Sequence, residues 1–220
     1  MEAEQPVAID VIASGIHDAK NNLFDALARV GVAIEAIHAG RAADALPALA
    51  EIETSVAAGA QRLSTLLSAY RVLRHENPVS MQPVDLPGLI DDVLIRVRES
   101  STDGIRLTSA CRHQGFWVCD RELVSDCLVN ALQNALRHAH REVQLTVAES
   151  DGQLRLTVAD DGPGIAEGAL TPHSDGSHSG VGLFIARRIA DLHRRHGRHG
   201  TLELGNGGPL GGAVFSLTLP

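Results

Sequence analysis

Between Ile12 and Ile37 the apolar residues recur at alternating steps of four and three: Ile12, Ile16, Ala19, Leu23, Ala26, Val30, Ala33 and Ile37. That is the seam of a coiled-coil type helix, which needs a partner helix to keep it from water. The spacing predicts one helix over residues 6–39, roughly 50 Å long at about 1.5 Å per residue. Gly40 is its stop, and Pro47 is expected in the first turn of a second helix. Leu49, Ile52, Val56, Gly59, Leu63, Leu66, Tyr70 and Leu73 then repeat the spacing. Two such helices with a short connection make an antiparallel hairpin. One hairpin leaves too much apolar seam bare, so a four-helix bundle formed by dimerisation is expected.

Asn77-Pro78 and Pro83 mark a change of character, which divides the chain into residues 1–77 and 78–220. Beyond them the pattern is α/β. Helices are expected over residues 86–99, 121–139 and 181–196, and strands over 105–110, 116–119, 142–149, 153–159, 201–204 and 213–219. Asp151-Gly152 between two alternating runs is a hairpin turn. A Gly- and Ser-rich loop separates Pro163 from Gly180. The fold class is therefore α+β: a helical hairpin followed by a two-layer α/β sandwich.

With 44% hydrophobic and 21% charged residues the chain has the composition of a globular protein rather than a disordered one. A net charge of −8 argues against nucleic acid or an anionic membrane as the main partner. The basic run His193-Arg194-Arg195-His196 is expected to be the solvated end of a helix. Cys111, Cys119 and Cys127 show no CxxC spacing, which fits a reduced, cytoplasmic setting with cysteines acting as small apolar residues. The sequence has no signal-peptide pattern and no apolar run near the ~20 residues that cross a bilayer.

Four short motifs carry chemistry. In His17-Asp18-Ala19-Lys20-Asn21-Asn22, His17 and Asn21 are four apart on a helix and share a face. His17 follows the seam residue Ile16, so its ring is expected beside the seam and within reach of solvent. Asp18 can hold the imidazole in one tautomer and take its proton, and an imidazole so oriented is a nucleophile toward phosphorus. Asn130, Asn134, Arg137 and His138 form a polar stripe on an otherwise apolar helix. A carboxamide oxygen is a hard, neutral ligand for Mg²⁺, and arginine meets phosphate. Asp160-Asp161-Gly162-Pro163-Gly164 ends a strand. An aspartate there can accept from an exocyclic amine, while glycines admit a ligand close to the backbone. Gly180-Val181-Gly182-Leu183 opens a helix whose free N–H groups suit an anion. Taken singly, each has a plainer reading: a solvated helix face, a wet helix side, a tight turn, a helix start.

In their order and separation, with the heptad hairpin in front, the motifs resemble those of the two-component sensor histidine kinases. In that family a dimerisation and histidine-phosphotransfer domain precedes a GHKL-type ATP-binding domain. His17 to Asn21 resembles the H box, Asn130 to His138 the N box, and Asp160 to Gly164 and Gly180 to Leu183 the two glycine boxes. Met81 to Val93 resembles the segment that leads into the ATP domain. The resemblance implies ATP and Mg²⁺ as cofactors, His17 as phosphoacceptor and Asp18 as its acid–base partner. It implies Asn134 as the Mg²⁺ ligand, with Asn130 and Arg137 near the phosphates and His138 and Leu183 also against the nucleotide. Asp160 would receive the adenine amino group, and Gly162, Gly164, Gly180 and Gly182 would shape the pocket. Asn130 stands where related ATPases carry a water-activating Glu, which favours transfer to histidine over hydrolysis. Asp18 to Asn21 also matches the family's phosphatase pattern, with Asn21 positioning a water. The implied partners are a response regulator receiver domain and a second copy of the chain.

The resemblance has departures. Asn22 stands where many members have proline, so no proline kink is expected there. The segment between Gly164 and Gly180 is short and lacks the family's Phe-containing box, Lys and Arg; its His173 and His178 are expected as loop residues. The alternatives are a histidine phosphotransferase with a degenerate ATP domain and a non-enzymatic dimeric adaptor. A serine-directed GHKL kinase is a weaker third, since it needs no hairpin with an exposed histidine.

Overall fold

The computed structural model describes residues 4–74, 79–98, 104–165 and 181–220. The chain divides into two compact units, Met1–Tyr70 and Arg71–Pro220. In the first, α1 (Glu4–His38) and α2 (Ala42–Arg74) form the helical hairpin. Its turn is a Schellman closure: Gly40 sits at φ +76, its N–H meets the Ile37 carbonyl at 3.0 Å, and the Arg41 N–H reaches back to Ala36 at 2.9 Å. α2 starts at Ala42, ahead of Pro47, which lies inside the helix rather than opening it. The stretch from Ala42 to Leu46 is rich in Ala and Leu and extends the helix by a turn. The proline then forfeits only one intrahelical N–H bond, close to the helix start.

The two helices touch through small residues. Gly15, Ala19, Ala26, Ala33 and Ala36 of α1 and Ala45, Gly59, Leu66 and Ala69 of α2 are buried. A methyl added at Gly15 would stand 2.6 Å from Leu66 Cδ2, so the backbones run too close there for a larger side chain. Arg29 pairs with Glu51 across the hairpin. Of the expected seam, the alanines face inward, whereas Ile16, Leu23 and Ile37 are about half exposed. The expected seam splits between two faces of the hairpin, its small residues inward and most of its large ones outward. Ile16, Leu23, Leu27, Ile34 and Ile37 keep the four-three rhythm on α1, and Leu46, Leu49, Val56, Leu63, Leu67 and Tyr70 keep it on α2. Small residues close the hairpin and large ones line its outer face.

The second unit begins with β1 (Gln82–Asp85), α3 (Leu86–Arg98), β2 (Arg106–Cys111), β3 (Phe116–Cys119) and α4 (Arg121–His138). It continues with β4 (Glu142–Ser150), β5 (Gln153–Asp160), α5 (Val181–Leu192), β6 (Arg194–Arg195), β7 (Arg198–His199), β8 (Thr201–Asn206) and β9 (Ala213–Leu219). The main sheet has the order β2-β4-β5-β9-β8, with β2 parallel to β4 and the other pairs antiparallel. Val143, Leu145 and Val147 of β4, Leu154, Leu156 and Val158 of β5, and Leu217 and Leu219 of β9 are buried at alternate positions. One face of the sheet is therefore core, and α3, α4 and α5 cover it. Each fully buried leucine contributes about 1.5–3 kcal/mol relative to exposure. β1, which the sequence did not signal, pairs with β3 in a separate two-stranded sheet.

Asp120 caps α4: its Oδ1 accepts the Leu123 N–H at 3.0 Å, and its Oδ2 accepts the Ser80 N–H at 2.8 Å. α5 ends at Leu192, short of the expected His196. His193 there is fully buried, and its Nδ1 donates to the Ile189 carbonyl at 2.7 Å. The run after it leaves the helix as the β6–β7 hairpin. Burial pushes the Cys119 and Cys127 thiols up to about 12, so both stay protonated and act as small core residues.

Candidate functional site

His17 lies on α1 with an exposed ring, and its Nδ1 is 3.2 Å from the carboxamide nitrogen of Asn21. A half-turn of the Asn21 amide would instead let its oxygen accept a proton from Nδ1. In the second arrangement Nε2 is the unprotonated ring nitrogen. Among the described residues Nε2 has no hydrogen-bond partner. The Asp18 side chain lies outside what the structure describes.

In the second unit the stripe on α4 runs from the half-buried Asn130 to the exposed Asn134, Arg137 and His138. The opposite face buries Leu123, Val124, Leu128, Leu132 and Ala135, which fixes the rotation of the helix and aims the stripe outward. Arg137 Nη1 donates to Asn134 Oδ1 at 3.1 Å, so the amide oxygen that could meet a cation has an internal partner that must yield first.

β5 delivers Asp160, which is 5% exposed, to the end of the sheet. Its Oδ1 accepts the N–H of Gly162 at 2.9 Å and of Ala213 at 3.1 Å. Its other oxygen has no hydrogen-bond partner among the described residues. The backbone around it is tight. A methyl on Gly212 would lie 2.4 Å from Asp160 Oδ1, and one on Gly162 would lie 2.4 Å from the His138 carbonyl. The first glycine motif thus meets the end of α4 directly, which brings the stripe and Asp160 into one site.

Asp161 makes that junction. Its Oδ1 gathers the main-chain N–H groups of His140, Arg141 and Glu142 at 2.8, 3.0 and 3.1 Å. These bonds, led by the one from Arg141, hold its carboxyl below its ordinary value. Asn206 does the same for the next stretch: its oxygen accepts the Ile165 N–H at 2.7 Å, and its nitrogen donates to the Ile165 carbonyl at 2.9 Å. Gly164, at φ +78, leaves just enough room, since a methyl there would meet Asn206 Oδ1 at 2.8 Å.

Gly182 and Leu183 open α5 and are half-buried, while a methyl on Gly182 would meet no described atom within 4 Å. Gly180, His173, His178 and most of the glycine-rich loop lie outside the described residues. Asp161, Asn206 and Gly212 had no role in the sequence reading. Asp161 stood inside a motif, and Asn206 and Gly212 lie between the two closing strands, where local sequence discloses nothing about what they touch across the fold. Among the described residues there is no group of three or more His, Cys, Asp or Glu that could hold a metal ion.

Residues 119–220 match the family of histidine kinase-, DNA gyrase B- and HSP90-like ATPases. The sensor histidine kinase component HK1 of Mycobacterium tuberculosis is 30% identical over 134 residues, which span 56% of this chain and 76% of that protein. The chain belongs to the sensor histidine kinases. Its similarity to another, the sensor protein kinase CarS of Pseudomonas aeruginosa, is 37% identity over 150 residues, 62% of the chain but only 30% of CarS. This kinase-family chain therefore spans under a third of that relative's length. The fold of the Acinetobacter baumannii histidine kinase AdeS superposes with a TM-score of 0.62 at 18% identity, over 88% of this chain and 94% of the other. Among the described residues of this family member no helix is long and apolar enough to cross a membrane.

Proposed function

We propose that the chain transfers the γ-phosphoryl group of ATP to Nε2 of His17 and passes it on to an aspartate of a response regulator receiver domain. The observation that carries this reading is the exposed His17 ring, engaged at Nδ1 by Asn21 with Nε2 left free of partners among the described residues. The second unit supports it by fitting a nucleotide. The Asp160 oxygen that has no partner among the described residues would accept the adenine amino group, and Gly162, Gly164 and Gly212 leave room for close approach. Mg²⁺, when bound, would neutralise phosphate charge. Asn134 would hold it through its amide oxygen once Arg137 turns to the phosphates, with Asn130 beside them. The residues position and neutralise, which is what phosphoryl transfer chiefly requires. Residues 1–77 would carry the phosphoacceptor and the dimer contact, and residues 78–220 the nucleotide.

Two finer assignments follow. The outer apolar seam of the hairpin would be covered by a second copy, completing a four-helix bundle. Asn21 would also position water for dephosphorylating the regulator, releasing His17 to do so.

The test is incubation with labelled ATP and Mg²⁺ beside His17→Gln. An acid-labile, base-stable label that is absent from the variant supports the reading. Nucleotide binding without label would redirect it to a phosphatase-biased protein, and no nucleotide binding to a phosphotransfer hairpin alone.

A further inference from the structure

The β6–β7 hairpin takes no part in the phosphotransfer reading, yet it gathers positive charge on a chain of net charge −8. Arg194, Arg195, His196, Arg198 and His199 are all exposed. Gly200 closes the base by donating its N–H to the His193 carbonyl at 3.0 Å. His196 at φ 50 and Gly197 at φ 76 form a left-handed two-residue turn, which puts Arg195 directly opposite Arg198. Like charges opposite one another weaken a strand pair.

Among the described residues neither Arg195 nor Arg198 makes an ion pair. Arg198 gives one N–H to the Asp151 main-chain oxygen at 3.1 Å, while the Asp151 carboxylate accepts the Ser150 hydroxyl at 3.1 Å. Arg194 Nε donates to the Asp191 carbonyl at 3.0 Å. Arg195, His196 and Arg198 line a cleft of about 300 Å³ with Gly152 and Pro220. The cleft lies where β5 begins, and Asp160 stands where β5 ends. At about 3.4 Å per residue the two are roughly 24 Å apart, so this is not the nucleotide site.

We propose that this cleft binds a small, multiply charged, phosphate-bearing anion, with Arg195 and Arg198 as a paired clamp. Two guanidinium forks match a tetrahedral oxyanion that carries two charges, where a lone carboxylate would satisfy one of them. Size decides between a small ligand and a polymer or bilayer. The chain's overall negative charge repels an extended anionic surface, whereas a small anion in the cleft feels charges within a Debye length of about 8 Å, chiefly the arginines.

The probe is inorganic pyrophosphate, titrated calorimetrically into the whole chain without Mg²⁺. Arg195→Gln and Arg198→Gln are each expected to weaken binding about tenfold, as loss of a charge-assisted bond does, and the double variant to abolish it. Without anion, Arg195→Gln should melt no lower than the unchanged protein, because the like-charge pair is relieved while the Arg198 bond to Asp151 is kept. Equal affinity in the unchanged chain and the double variant, or no binding at all, would overturn the proposal. So would a lower melting temperature in the anion-free Arg195→Gln variant, which would make that arginine structural. Hairpin-dependent capture of RNA or of phosphatidylserine vesicles, with no pyrophosphate binding, would overturn the small-ligand assignment. None of these outcomes depends on whether His17 accepts phosphate.

Discussion

Asp120 donates its main-chain N–H to Nε2 of the buried His193 at 3.1 Å. With Nδ1 donating to the Ile189 carbonyl, both ring nitrogens are engaged only when the ring is neutral. Burial lowers the pKa of His193, opposed in part by the Ile189 carbonyl and by Asp120. A depressed folded value means that this contribution to stability is complete above the ring's ordinary value and is lost as the pH falls below it toward the folded value. Melting temperatures between pH 7 and 5 should therefore fall on the acid side, by up to about 1.4 kcal/mol of stability per pH unit from this one proton. His193→Gln should flatten that part of the curve; an unchanged slope in the variant would remove His193 from the account.

Asp161→Ala removes the acceptor for three N–H groups between α4 and β4. Nucleotide affinity should drop roughly tenfold through misplacement of the loop, and Asp161→Asn, which keeps an oxygen, should recover part of it. Because the Asp161 pKa is depressed, its contribution is present above the ordinary carboxylate value and is lost as the pH falls through its folded value. Calorimetric titration of an ATP analogue decides the matter; equal affinity for Ala and Asn would show that the oxygen is idle.

Two glycines make a matched pair. Gly212→Ala pushes a methyl against Asp160 Oδ1 and should abolish measurable nucleotide binding while leaving the circular dichroism spectrum in place. Gly182→Ala meets no described atom and should change affinity less than about threefold, as a substitution without a steric clash does. If the two behave alike, the steric account of the pocket is wrong.

On the hairpin, Leu27 is 66% and Leu67 is 65% exposed, whereas Ala26 is 4% exposed. Leu27→Glu and Leu67→Glu should shift the protein toward monomer in light scattering. Ala26→Leu should lower the stability of the hairpin itself by about 1–3 kcal/mol through overpacking. A monomer in the unchanged chain would dispose of the outer-seam assignment.

Much of this was written in local sequence. Periodicity placed the helices and strands within a few residues, because burial on one face imposes the 3.6- or two-residue period whatever the partner is. Asp151-Gly152 and Gly40 announced their turns because few residues take positive φ without strain. The misses lie where a distant group intervened. The end of α5 moved from His196 to Leu192 because His193 has bonds to Ile189 and Asp120, the latter 73 residues away.

The sequence alone determined which residues could do chemistry: a histidine four residues from an asparagine, an amide stripe, an aspartate at a strand end. Tertiary structure decided what each is free to do. It split one apparent seam into an inner and an outer one, because the two backbones approach where alanine and glycine leave room. It bound one oxygen of Asp160 to Gly162 and Ala213 and left the other without a partner among the described residues. It also faced Arg195 against Arg198. Distances between residues far apart in the chain arise only when the chain folds, and chemistry depends on those distances.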